Sequence, residues 1–352
     1  MKNIEKYLSL LSDTQGLLLT SRYSRYYGAE FDIAEGVAIV SKKGCRYFTD
    51  SRYIESAENG IKGFEVLDVL NFGYVSRIND AIADFGITEL GYEENYLTVA
   101  EFLEYDRNLK APLVPRNAEI AGFRATKEDW ELELMKKAQE ITDKTFTEIL
   151  TKIKAGMTEK ELSAELIYLL LKNGADGLSF DPIVVSGPNT SLPHGVPGDR
   201  KLQEGDFITM DFGVLYKGYC SDMTRTVALG FVTEEMEKVY NTVAAAQLAG
   251  IAVTRAGVVG AEIDGAARKL ITEAGYGPYF GHGYGHSLGL EIHEAPNPNF
   301  KNDQPMPAGA VCSAEPGIYL PGKFGVRIED VTIVREDGCE IITKSPKNLI
   351  IV

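Results

Sequence analysis

The sequence predicts an α/β protein built as two domains, and three observations carry that reading. The chain has 352 residues, more than the ~150 that one domain usually takes. Up to about residue 122, short strand-like runs alternate with polar helical stretches, whereas beyond Arg124 longer helical patterns alternate with hairpin patterns. All four histidines fall in this second region, between positions 194 and 293.

In the first region GLLLT, GVAIV, CRYFT, FEVLDV and ELGYE read as strands, and no cluster of His, Asp and Glu accompanies them. The segment KEDWELELMKKAQEITDKTFTEIL then spaces its apolar residues at helical intervals, with Thr126 as the expected cap and acids in the first turn. The boundary is placed near residues 122 to 127, giving domains 1–123 and 124–352. Thr158 opens a second helix with Glu159 and Glu161, running through Leu171 and stopped by Asn173-Gly174. The loop FDPIVVSGPNTSLPHGVPGD follows, then hairpins in DFITMDFGVLYKGYCSDMTRTVAL and helical stretches over 233–255 and 259–274. GHGYGHSLGLEIHEAP is too rich in glycine for a helix, and AVCSAEPGIYLPGKFGVRIEDVTIV reads as a last hairpin. The order helix, helix, hairpin thus reads as occurring twice, although residue identities show no repeat.

With 44% hydrophobic and 25% charged residues, the composition is that of a globular protein large enough to bury a core without staples. A formal net charge of -15 argues against nucleic acid or an anionic membrane surface as partner. MKNIEKYLSLLSDTQGLLLT holds no apolar run long enough for a signal peptide or a membrane span. Cys45, Cys220, Cys312 and Cys339 form no CxxC pair and read as reduced thiols, so a cytoplasmic location is expected.

Asp211 and Asp222 lie in β-branched sequence where aspartate is normally depleted. A two-residue turn at Tyr216-Lys217 would make them direct cross-strand partners, and one at Lys217-Gly218 would make them diagonal neighbours. Either register puts both carboxylates on one face, which like charges resist unless a cation lies between them. The bland alternative has both facing solvent. Glu315 and Glu329 flank a turn centred near Gly322. An odd-length loop there makes them direct partners, and an even one sends them to opposite faces. With His286 these are five oxygen and imidazole ligands without sulfur, a set suited to two divalent ions rather than a structural zinc. Two ions ~3.5–4 Å apart can share a hydroxide and polarise a carbonyl. Other motifs mislead. Asp211-Phe212-Gly213 spells DFG without the rest of a kinase signature. GHGYGHSLG lacks a phosphate loop's GK[ST] ending, and no GxSxG elbow is present. Cys220 and Cys312 read as small buried hydrophobes.

The order of DFG, SDMTRT, GHGYGHSLG, HEAP, AEPGIY and VRIED resembles the metallopeptidase family of aminopeptidase P, prolidase and methionine aminopeptidase, through residues 123 to 352. TDSRY at 49–53 resembles that family's creatinase-like first domain. The resemblance implies a creatinase-like α/β domain followed by a pita-bread catalytic domain. It implies Asp211 as a chelator of one metal, Asp222 and Glu329 as bridging carboxylates, and His286 and Glu315 as ligands of the other metal. Glu315 would also shuttle a proton. His194 and His293 would steady the substrate and the tetrahedral intermediate, and Arg327 would orient Glu329 or meet substrate. His282, four residues before the ligand, is a candidate for contact with substrate or with the ligands.

Many dipeptide-cleaving members of the family carry Arg shortly after the HExP run, where this chain has Asn297. An amide does not replace a bidentate clamp. The reading is therefore an Xaa-Pro aminopeptidase that removes the residue before proline from short peptides. Prolidase and a general or methionine-type aminopeptidase are the enzymatic alternatives, and a metal-free peptide-binding module is the other. The expected cofactors are two divalent ions, manganese foremost, with cobalt, zinc or iron as alternatives. The expected partners are peptide substrates and a second copy of the chain in a homodimer, with no nucleic acid and no membrane.

Overall fold

The computed structural model describes residues 3–352. Met1 and Lys2, which open the expected first domain, lie outside the described residues. Contacts divide the chain into one compact unit ending at Arg124 and a second spanning Ala125–Val352.

The first unit is a six-stranded mixed sheet of order β4-β3-β2-β1-β5-β6. Its strands are β1 (Gln15–Leu19), β2 (Val37–Ser41), β3 (Gly44–Thr49), β4 (Glu65–Asp68), β5 (Glu89–Tyr92) and β6 (Leu113–Pro115). Its helices are α1 (Asn3–Ser9), α2 (Arg22–Ala29), α3 (Ile54–Gly60), α4 (Gly73–Phe85), α5 (Val99–Asn108) and α6 (Asn117–Gly122). β1, β2 and β3 pair antiparallel, and β4, β5 and β6 join in parallel after helical crossovers. All five residues of β2 are buried, as strands covered on both faces require. Leu18, Ile39, Phe48, Ile78, Ile82 and Leu90 form the core. All five expected strands are found. β6 has only three residues and ends in proline, too little pattern for the sequence to declare it.

The second unit repeats one arrangement. Helices α7 (Asp129–Leu150) and α8 (Glu159–Lys172) precede β7 (Gly177–Leu178), β8 (Ile183–Ser186), β9 (Phe207–Phe212), β10 (Val214–Tyr216), β11 (Tyr219–Cys220) and β12 (Met223–Ala228). Helices α9 (Glu234–Val253) and α10 (Gly260–Glu273) precede β13 (Val311–Ala314), β14 (Gly317–Leu320), β15 (Phe324–Arg327), β16 (Asp330–Arg335) and β17 (Gly338–Ile341). Phe146, Leu162 and Leu166 of the first helix pair pack on Met210 and Phe212. Val239, Tyr240 and Ile263 of the second share a core with Val326 and Ile328. The helices thus cover the hairpins and leave their other faces to build a site. Among the described residues no helix is long and apolar enough to cross a membrane, and the four cysteines are free thiols.

Thr158 caps α8, its hydroxyl accepting the Glu161 N–H at 3.1 Å while the Glu161 carboxylate accepts the Thr158 N–H at 2.8 Å. Thr126 does not cap α7. The Lys127 N–H is spent on the Gly309 carbonyl at 2.9 Å, which keeps the chain extended, and the cap position falls two residues after Thr126, at Glu128. There the Glu131 carboxylate accepts the Glu128 N–H at 2.8 Å.

Both hairpin registers left open by the sequence are resolved. Leu215 pairs with Cys220 and Tyr216 with Tyr219, so Lys217 and Gly218 form the turn, with φ of 46° and 79°. The register continues into Asp211 opposite Thr224, which makes Asp211 and Asp222 diagonal neighbours. Asp222 therefore faces Gly213, where an added Cβ would stand 2.0 Å from the Ser221 carbonyl oxygen. That approach is why a glycine follows Asp-Phe here. In the last hairpin Leu320 pairs with Phe324 across a three-residue loop, and Gly317 with Arg327. On the far side Ala314 pairs with Asp330 in the same register, so Glu315 and Glu329 are direct partners.

One helix-start residue also shapes the site. The buried Glu159 carboxylate accepts the Ser186 N–H at 2.7 Å, the Ser186 hydroxyl at 2.8 Å, the Asn189 amide at 3.0 Å and the Gly198 N–H at 3.0 Å. It ties both ends of the loop that carries His194 to the start of α8. Glu159→Ala leaves these donors unmatched, and urea denaturation should show a loss of about 2–4 kcal/mol.

Candidate metal centre

Asp211 leaves β9, Asp222 precedes β12, Glu315 follows β13, Glu329 precedes β16, and His286 comes from the glycine-rich segment. That segment acts as an extra strand. Ser313 N–H donates to the His286 carbonyl at 2.8 Å and Glu315 N–H to the Tyr284 carbonyl at 2.8 Å. A Cβ at Gly285 would lie 2.1 Å from the Ser313 carbonyl oxygen, so only glycine permits this pairing. All nine residues singled out from the sequence line one cavity of about 790 Å³: Asp211, Asp222, His286, Glu315, Glu329, His194, His282, His293 and Arg327. The volume lies in the range of small-molecule sites.

The floor of this cavity is short of positive charge. One oxygen each of Asp211, Asp222 and Glu329 is buried without a hydrogen-bond partner. Buried carboxylate oxygens are rarely left so, because desolvation without a partner is costly. Burial, and then the charges of Asp211 and Glu315, push the Asp222 carboxyl well above the usual range. Burial, then Asp222, does the same to Glu329. Burial also raises Glu315.

The imidazole of His286 completes the pattern. Its Nδ1–H donates to the Ser287 carbonyl at 3.2 Å, so Nε2 carries the free lone pair. That nitrogen stands 3.3 Å from Glu315 Oε1 and 3.5 Å from Asp222 Oδ2. Burial lowers the His286 pKa, which disfavours filling the gap with a proton. A lone pair facing two carboxylates fits a shared cation. Asp222, His286 and Glu329 offer ligand atoms all within 4.8 Å of one another, the spacing a metal ion takes. The donor set of carboxylates and imidazole suits a divalent ion of intermediate softness.

Neighbours hold these groups in place. Thr224 donates its hydroxyl to Glu329 Oε2 at 2.7 Å. Ser313 donates to Glu315 Oε1 at 3.1 Å and accepts the His286 N–H at 3.0 Å. Arg327 is buried and orients Asp211 directly, at 2.6 Å, meeting Glu329 only through Thr224, whose hydroxyl its Nε reaches at 3.0 Å. Its remaining donor faces the Tyr319 hydroxyl at 2.9 Å and the Pro193 carbonyl at 3.3 Å, next to His194. His282 stands outside the ligand group. Its Nδ1–H donates to the Gly283 carbonyl at 2.8 Å, so Nε2 accepts the Tyr319 hydroxyl at 2.9 Å. His293 packs edge-on against His286, ring centroids 4.4 Å apart, and is held towards its neutral form by burial and then by His286. His194 is exposed on the cavity wall.

Sequence reasoning missed Tyr319, Thr224, Ser313 and the loop-tying Glu159. Period-two alternation could have found Tyr319, since Glu315, Gly317 and Tyr319 share one face of a strand.

Both units have relatives among known proteins. The model of metallopeptidase family M24 matches residues 133–336, and that of the creatinase/prolidase N-terminal domain matches residues 9–126. The crystal structure of an Xaa-Pro dipeptidase from Bacillus anthracis superposes with a TM-score of 0.95 at 42% identity, covering 100% of this chain and 99% of that one. An X-Pro aminopeptidase from Thermotoga maritima superposes with a TM-score of 0.93 at 36% identity, covering 99% of each chain. An Xaa-Pro dipeptidase of Pyrococcus furiosus is 39% identical over 231 residues, 66% of each chain.

The raised carboxyl pKa values set the sign of a pH effect. Without a cation, Asp222, Glu315 and Glu329 hold protons to higher pH than ordinary carboxyls, and a metal must displace them. Burial lowers the His286 pKa, so it competes for protons less than an ordinary imidazole would. Calorimetric titration with a divalent ion should therefore show weaker binding at pH 5.5 than at pH 7.5, by about tenfold per pH unit for each proton displaced. Affinity independent of pH would mean that the carboxylates are ionised beforehand.

Proposed function

Because the chain belongs to metallopeptidase family M24, we propose that it hydrolyses the bond between a first residue and proline in short peptides, Xaa-Pro dipeptides foremost. The proposal includes two divalent ions, manganese first among them, held by Asp211, Asp222, His286, Glu315 and Glu329, and a homodimer in solution. The observation that carries it is the set of three unpartnered carboxylate oxygens beside the free Nε2 of His286, at the floor of a peptide-sized cavity.

Ions bound there would lower the pKa of a shared water and polarise the scissile carbonyl. The chain's own groups do the rest. His194 and His293, on the cavity wall, donate N–H to the oxygen that gains charge as the carbonyl is attacked. Glu315, steadied by Ser313, takes a proton and passes it to the leaving nitrogen. Proline's nitrogen is tertiary in the peptide, so it must gain that proton before it can leave. Arg327 keeps Asp211 in its ligand orientation and, through the Pro193 carbonyl, braces the loop that presents His194.

The aminopeptidase preference expected from Asn297 is the less supported reading. The Asn297 side-chain oxygen accepts the Ser287 N–H at 2.9 Å, and its carbonyl accepts the Asn302 amide at 2.9 Å. It braces a loop, so the absence of a guanidinium at this position says little about how a substrate carboxylate is held. Two of the relatives described above are named Xaa-Pro dipeptidases, which supports the dipeptide reading. The Thermotoga maritima aminopeptidase keeps the longer-peptide reading as the second one.

Purified protein loaded with manganese should cleave Ala-Pro faster than Ala-Pro-Ala. The reverse preference would restore the aminopeptidase reading, and no cleavage of either would remove proline specificity. Glu329→Ala should lose bound metal, measured per chain by atomic absorption, and should lower Ala-Pro turnover more than about a hundredfold, or about 3 kcal/mol. Unchanged turnover with full metal content would rule out a ligand role for Glu329.

A further inference from the structure

The ions proposed above match the carboxylates of the floor, so the free carboxylate that a dipeptide brings into the cavity is best met by a cation on the wall. Among the described residues, Arg327 and Lys301 are the only arginine and lysine lining the cavity. Arg327 is spent, since its donors go to Asp211, Thr224, Tyr319 and the Pro193 carbonyl, and it is buried. Lys301 is exposed, and its ammonium lies over the Phe300 ring at 5.6 Å. An ammonium on an aromatic face keeps most of its capacity to bind an anion.

The segment that carries Lys301 is firmly built. Its backbone N–H donates to the Asn299 side chain at 2.9 Å, and Asn302 N–H donates to the Asn299 carbonyl at 3.1 Å. The Asn302 amide reaches the Asn297 carbonyl, and Asn297 in turn holds Ser287, the neighbour of His286. A Cβ at Gly283 would lie 2.6 Å from the Asn299 Cβ, so the loop packs tightly against the segment bearing His282 and His286. The lysine thus stands on a braced turn tied to the ligand segment.

We propose that Lys301 is a specificity-determining residue that receives the C-terminal carboxylate of the substrate, selecting peptides that end at the proline. This rests on the dipeptidase reading above. Arginine conserves the charge and can reach the same carboxylate.

The test is steady-state kinetics of the manganese-loaded wild type, K301A and K301R on Ala-Pro and on Ala-prolinamide, which lacks the charge. K301A should raise KM for Ala-Pro and lower the ratio of kcat/KM for Ala-Pro to that for Ala-prolinamide by ~10-fold, the scale of one charge-assisted contact. K301R should keep the wild-type ratio. If the wild type cleaves Ala-Pro and K301A shows the same ratio as wild type, the assignment of Lys301 falls while the dipeptidase reading stands. If the wild type cleaves Ala-Pro-Ala and not Ala-Pro, the dipeptidase reading falls and takes the assignment with it.

Discussion

Four carboxylates that repel one another are held together, three of them buried, and much of the second unit exists to make that tolerable. The groups sit on β-ladders because a ladder leaves its members little freedom to separate. Behind Glu329 lies Arg225, one of the largest fully buried side chains. Its guanidinium binds Asp330 at 2.8 Å, the Ser345 carbonyl at 2.8 Å and the Pro346 carbonyl at 3.0 Å, and also contacts the Glu329 carbonyl. Asp330 receives Lys347 at 2.6 Å and Gln247 at 2.9 Å as well. A buried ion pair adds little net stability, but breaking one is expensive, so it resists displacement. The backbone carrying Glu329 is thereby anchored to α9 and to the segment 345–347.

A second buried pair serves the histidine side. Lys127 Nζ lies 3.0 Å from Glu294 Oε2, both side chains almost wholly out of solvent. Glu294 follows His293 directly and also accepts the Glu291 N–H at 3.2 Å. The pair fits only because residue 289 is glycine, where a Cβ would stand 2.7 Å from the Glu294 carboxylate and 2.9 Å from the lysine stem. The entry to α7 and the segment presenting His293 are thus one packed unit. Charges buried in pairs surround carboxylates that each leave an oxygen without a partner at Asp211, Asp222 and Glu329, and that contrast marks the centre.

The two α/β units were legible because apolar runs such as GVAIV and the period-3.6 pattern of the helix ending at Leu150 are strong, while their creatinase-like and pita-bread character came from the ordered motifs. Local hydrogen bonds were harder. Thr126 looks like a cap, but the hydrogen bond from the next residue, Lys127, to Gly309, 182 positions further on, holds the chain extended there, and no local pattern reveals it. The first hairpin's register was open because Tyr216-Lys217 and Lys217-Gly218 are both acceptable turns, and the pairing of Tyr216 with Tyr219, with Gly218 at positive φ, decides between them. Glu159 reads as a common first-turn acid, and its role in tying a loop depends on residues 27 to 39 positions later. Arg327 illustrates the same limit, since its aim at Asp211 rather than Glu329 follows from the crossing of two hairpins.

Glu315 and Glu329 sit where one hairpin passes between two ladders, one ending at Ala314 and Asp330 and the other starting at Gly317 and Arg327. An inserted or deleted residue on either arm would turn one carboxylate to the opposite face. At the tip, from Pro321 to Lys323, length can change with the four pairs of β14 and β15 absorbing the difference. A tip open to changes of length and arms closed to them are two outcomes of one alternation.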